Sequence, residues 1–87
     1  DRLVDDIEQR PDEPMIDTRF HIGELFFLHD SKRRAEYWYK SVLNHDPRHA
    51  AAHARLAECY ELRAKDDPAV AAAAAHHRAE AKRFTPT

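Results

Sequence analysis

Apolar positions in this chain recur at helical spacing in short runs that end at proline-bearing turns. Leu3, Val4 and Ile7 form the first run, which stops at Arg10-Pro11 because a proline disfavours helical geometry in the residue before it. That spacing predicts a short leading or capping helix over 1–10. Pro11-Asp12-Glu13-Pro14 reads as a turn, with Pro14 suited to the first position of the next helix. This helix is predicted from about Met15 to His29. Its apolar residues Ile16, Phe20, Ile22, Leu25, Phe26, Phe27 and Leu28 occupy more than one face, so it must be covered on several sides.

Asp30 and Ser31 are both N-cap types, and Lys32 to Asn44 places Ala35, Tyr39, Val42 and Leu43 on one stripe. Asp46-Pro47 then reads as an acidic cap with proline at the first helical position, opening a helix to about Ala64. Its stripe of Ala50, His53, Leu56, Ala57 and Tyr60 is largely small and permits close packing. Asp67-Pro68 repeats the device before the Ala-rich run from Ala69 to Ala75, a strong helix former of little bulk. Residues 84–87 are expected to fray. The reading is all-α, with about five helices.

Composition narrows this picture. In 87 residues, 43% are apolar but many of those are Ala, and 34% are charged, so the core must be narrow and helical. A single Gly argues against a sheet with tight turns. The net charge of -2, with both signs interspersed, offers no basic stripe for a phosphate backbone, and nucleic acid is not an expected partner. No apolar run approaches the roughly 18 to 20 residues that span a bilayer, so no membrane insertion is expected. The chain begins at Asp1 and not Met, as expected of a processed or excised polypeptide, and the compartment stays open. Cys59 is the lone cysteine, without ligand spacing around it, and reads as a small buried apolar residue.

Two segments repeat. Ile22-Gly23-x-x-Phe26 and Leu56-Ala57-x-x-Tyr60 are related by a shift of 34. From Ile16 to His49 the chain carries Ile22, Gly23, Phe26, Ala35, Tyr39, Val42 and Pro47 at the spacings of the tetratricopeptide repeat (TPR), which it resembles. After Leu56, Ala57 and Tyr60 the second repeat falls on Ala69, Ala73 and His76 in strict register. A turn three residues longer around Ala64 to Pro68 places Ala72, His76 and Ala79 instead, with His76 where a large ring belongs. The resemblance covers Ile16 to Arg83. It implies a first hairpin over 15–49 and a second over 50–83 with a longer internal turn, stacked antiparallel as a short right-handed superhelix. Such repeats usually need about three units for stability. Either the leading helix completes the stack, or the apolar surfaces of the second and fifth predicted helices pack on a protein partner, which is the expectation: a missing upstream or downstream domain, a larger complex or a second copy.

In this family the first helix of each hairpin lines a concave groove. The resemblance places Asp17, Phe20, Glu24, Phe27 and Leu28 there, followed by Ala51, Ala54, Glu58, Glu61 and Leu62. This acidic and apolar trough suits an extended or helical peptide carrying Lys or Arg beside an apolar anchor. Family members that clamp a terminal carboxylate use Lys and Asn, whereas Phe20, Glu24 and Glu58 stand at those positions here, so no such clamp is expected. The plainer reading has Phe20, Phe27 and Leu28 packing on the leading helix or an adjoining domain. Tyr37-Trp38-Tyr39 occupies successive steps of about 100 degrees on one helix, so with Tyr39 inward, Trp38 or Tyr37 is left outward as a contact candidate. The partner-binding set is Phe20, Glu24, Phe27, Leu28, Trp38, Glu58 and Glu61.

The alternative is an accessory segment supplying histidine ligands to a metal or haem. His49 and His53 lie four apart on one helix, but no third ligand stands at useful spacing and no Cys-x-x-Cys-His motif is present. His53 is expected to pack between helices and His49 to cap a loop. Ser31 and Ser41 lack triad companions, there is no Gly-rich phosphate loop, and Lys32-Arg33-Arg34 reads as a solvated face. The expectation is a non-catalytic interaction module or structural scaffold subunit without a cofactor.

Overall fold

A computed structural model describes residues 15–29 and 31–85. The leading helix expected over 1–10 and the turn after it lie outside the described residues. Among the described residues four α-helices follow one another: α1 (Ile16–His29), α2 (Lys32–His45), α3 (Ala50–Arg63) and α4 (Ala71–Phe84), with a 3-10 turn over Pro68–Val70 leading into α4. No strand occurs among the described residues, and no described helix is long and apolar enough to cross a membrane.

Capping chemistry explains the boundaries. Ser31 accepts a hydrogen bond from the Arg34 N–H (3.2 Å) and opens α2. At the next boundary the Asp-Pro pair behaves differently from its pattern. The Asp46 N–H closes α2 on the Val42 carbonyl (2.8 Å), and the Asp46 carboxylate accepts from the Arg48 N–H (3.2 Å), so Asp46-Pro47 forms the turn itself. His49 is the residue that caps α3, its Nδ1 accepting from the Ala52 N–H (3.1 Å). Asp67 caps a helical turn as expected, but Pro68 leads into 3-10 geometry.

Side-chain pairs fix how the helices lie. Arg19 reaches Ser41 and Glu24 reaches Tyr39, so partners descend along α2 as they ascend along α1, and the two run antiparallel. His53 meets Phe84 and Tyr60 meets His77, which makes α3 and α4 antiparallel as well. Phe20 meets His49 and Glu24 meets Arg55, so α1 and α3 lie side by side in the same direction. Ala35, Tyr39, Leu56, Cys59, Tyr60 and Ala74 form the buried cluster at the centre, with Phe20, Phe26, Phe27 and Leu43 packed against it.

Gly23 has a packing reason to sit inside a helix, where glycine costs about 1 kcal/mol relative to alanine. A Cβ there would stand 2.8 Å from Cε1 and 3.0 Å from Cδ1 of Tyr39. That ring is fully buried and has no room to retreat. Gly23→Val is expected to lower the unfolding free energy by about 2 kcal/mol, read as a lower urea midpoint. An unchanged midpoint would show that α1 and α2 separate without cost.

The second hairpin departs from its expected register. Ala74 and Ala81 are buried and His77 lies against Tyr60 (5.7 Å), whereas Ala72, His76 and Ala79 are exposed. The 3-10 turn displaces the helical start, so Ala74 follows Ala57 by 17 positions (74 − 57) where Ala35 follows Gly23 by 12 (35 − 23). The extra length is five residues and not three. One consequence is chemical: where Tyr39 meets Phe27 in the first hairpin (6.3 Å), the second sets Arg78 against Glu61 (2.6 Å). An ion pair stands in for the missing aromatic pair.

Candidate partner-binding face

The seam between α1 and α3 is organised around Arg55. Glu24 accepts from Arg55 Nε (2.9 Å) and Nη2 (3.1 Å) and from the Tyr39 hydroxyl (2.6 Å). The same guanidinium reaches Glu58 (3.2 Å) and lies 4.6 Å from the ring centroid of Phe27. Its pKa is raised chiefly by the hydrogen bond to Glu24, and burial pushes the Tyr39 phenol up, helped by the same carboxylate. Phe20 is half-buried against Tyr39 (5.7 Å) and His49 (5.0 Å), and Phe27 also carries the Lys32 ammonium at 4.6 Å. Glu24, Phe27 and Glu58 therefore meet at one guanidinium, with Phe20 beside them. Glu24, Phe20 and Phe27 spend much of their contact capacity joining α1 to α2 and α3.

The remaining candidates lie apart from that seam. Leu28 is 61% exposed and shares the outer face of α1 with Leu25. Trp38 is half-buried and meets Tyr37 edge-on at 5.3 Å, and it is Tyr37 that opens to solvent, at 66% exposure. Glu61 is held by Arg78 on α4. In that pair the guanidinium's pKa is raised mainly by the hydrogen bond.

A shallow depression of about 280 Å³ opens at the C-terminal end of α3, lined by Glu58, Glu61, Leu62 and Lys65. Leu62 forms its exposed apolar element, and the Glu58 and Glu61 side chains, each close to half exposed and paired to Arg55 and Arg78, share its rim with Lys65. Helical geometry groups Glu58, Glu61 and Leu62, which recur at three- and four-residue steps and so share a face, and Lys65 joins them from the turn after α3. Two contributors escaped the sequence reading. Lys65 lies in the turn after α3, beyond the helical positions considered, and Arg55 revealed only its short-range spacing to Glu58, with nothing to mark a partner on α1.

The candidate pair His49 and His53 does not converge. Nδ1 of His49 caps α3 and its ring lies on Phe20, while buried His53 contacts the Pro47 carbonyl through Nε2 (2.8 Å) and His77 through Nδ1 (2.9 Å). Their nitrogens thus serve different partners and share no ion position. Among the described residues no group of three or more His, Cys, Asp or Glu side chains is placed to hold a metal ion. Cys59 is buried as expected, and burial, with Glu36 nearby, pushes its thiol up to about 12. No family model matches the chain, and no curated protein or solved structure shows significant similarity to it.

Proposed function

We propose that the chain is a TPR-type interaction module, two stacked hairpins of a right-handed superhelix, which binds a basic and apolar peptide segment along the exposed face of α3. Support for the repeat reading comes from the shift of 34 between Ile22-Gly23 and Leu56-Ala57 and from the parallel neighbours α1 and α3. The observation that carries the binding reading is the α3 depression, where exposed Leu62 shares the lining with Glu58, Glu61 and Lys65. An apolar anchor seated on Leu62 gains about 25 cal/mol for each Å² removed from water. Lys or Arg beside the anchor competes with Arg55 and Arg78 for the half-exposed carboxylates of Glu58 and Glu61, which orients the segment more than it adds affinity. Leu25 and Leu28 supply a separate apolar face suited to a neighbouring domain or subunit, in keeping with a scaffold role. The activity is binding without catalysis or cofactor.

A fluorescent amphipathic peptide of Lys and Leu is the probe, and its Glu and Leu counterpart is the control. Combining Glu58→Lys with Leu62→Asp is expected to weaken the basic peptide at least about tenfold, or 1.4 kcal/mol, while circular dichroism stays that of the parent. Equal binding of both peptides, or unchanged affinity in the double variant, would refute the reading.

A further inference from the structure

The second hairpin packs closely through small side chains. The buried residues of α4 are Ala74 and Ala81, and its largest apolar side chain is half-buried Phe84. Its ion pair to α3, Arg78 with Glu61, is solvent-exposed on both sides. Against this background the contact of His53 on α3 with His77 on α4 stands out: Nδ1 faces Nδ1 at 2.9 Å, with the rings 5.1 Å apart.

Hydrogen-bond chemistry allows one arrangement of two neutral rings here. The Pro47 carbonyl can only accept, so the proton of His53 must sit on Nε2, which donates to it at 2.8 Å. Nδ1 of neutral His53 then presents a lone pair, and the facing Nδ1 of His77 must carry the proton and donate. We propose that this contact is an acid-operated latch, which holds α4 against α3 while both rings are neutral and releases it on acidification.

Either site of protonation opposes the closed state. A second proton on His53 goes to Nδ1 and sets two N–H groups head to head across the contact. A second proton on His77 goes to Nε2 and preserves the hydrogen bond, but creates a cation in a positively charged neighbourhood. From α2 the Lys40 ammonium lies over the Tyr60 ring (5.6 Å), and that ring packs on His77. On α4 itself the His76 ring is 5.1 Å away, and Glu80 opposes the charge but lies 3.7 Å from Arg83. On the His53 side, the Arg48 guanidinium sits over Phe84 (5.5 Å), whose ring packs on His53 (5.9 Å). Burial above all, then His53, His76 and Lys40, hold His77 down at about 4, with Glu80 pulling the other way.

The sign follows from proton uptake. A released His77 titrates near its ordinary value of 6.5, whereas the latched one takes its proton only near 4. Between those values the open state binds more protons, so the latch is at full strength above about pH 6.5 and is lost as pH falls toward 4. The open population is expected to rise by up to about tenfold per pH unit across this window.

Nuclear magnetic resonance of the full chain, labelled with 15N and 13C and titrated from pH 7.5 to 4.5, tests the latch. At pH 7.5 His53 should carry its proton on Nε2 and His77 on Nδ1. On acidification the α4 amides should lose their folded positions before those of α1 and α2, and His77 should titrate below its ordinary value of 6.5. His77→Phe keeps a ring against Tyr60 without a titrating nitrogen, and α4 should then stay folded to about pH 5. The latch is overturned if the tautomers differ, if His77 titrates at its ordinary value of 6.5, or if α1 and α2 unfold together with α4. Retention of the same transition in His77→Phe also overturns it. Should that variant fail to fold, the parent's tautomers and order of unfolding decide the matter.

Discussion

Tyr39→Ala is expected to remove about 4 kcal/mol of stability, a large share of the roughly 4 to 13 kcal/mol available to a domain of this length. Tyr39 is fully buried, fills the space Gly23 leaves open, and touches Phe20 and Phe27. Truncation removes that contact and leaves a cavity at the centre of the first hairpin. It also withdraws the hydroxyl donor from Glu24, which keeps Arg55. Tyr39→Phe separates the two contributions and should cost only about 1 kcal/mol, for the hydrogen bond. Urea unfolding followed by circular dichroism reads both variants. A Tyr39→Ala chain within about 1 kcal/mol of the parent would show that the ring is not the keystone of the hairpin.

Arg63→Ala should cost about 3 kcal/mol by a different mechanism. The Glu36 carboxylate on α2 is buried at 4% exposure and accepts from Arg63 Nη1 on α3 at 2.5 Å. Deleting the guanidinium strands a charge where water does not reach it, and at the interface that joins one hairpin to the next. Removing both charges, as Glu36→Met with Arg63→Leu, should recover most of the loss because no buried carboxylate is left uncompensated. If the double variant is no more stable than Arg63→Ala, stranded charge is not the cause.

The first hairpin was legible because its sequence alternates bulk with smallness at fixed steps. Gly23 faces Tyr39, Ala35 and Val42 are fully buried, and Ser31 caps α2. The second hairpin was less legible for the converse reason: a run of alanines has helix propensity but no bulk to mark its inner face, so a 3-10 turn shifts the register without a trace in the pattern. Charged residues were hard to read for a related reason. Glu24 looked open to a ligand because its partner Arg55 stands 31 positions later, and nothing local distinguishes Glu36 from a solvated charge. Long-range ion pairs of this kind follow from how the helices stack, which is settled by the apolar residues around them. The exposed face of α3 was legible in part, since Glu58, Glu61 and Leu62 share helical spacing, while Lys65 joins them only through the turn that follows.

The interaction reading is tested most directly by titrating the 15N-labelled chain with the Lys and Leu peptide and mapping the amides that move. Saturable shifts centred on Glu58, Glu61, Leu62 and Lys65, weakened by salt and lost with Glu58→Lys and Leu62→Asp together, are the predicted result. Shifts centred on Tyr37 and Trp38, or no saturable shift at all, would contradict it.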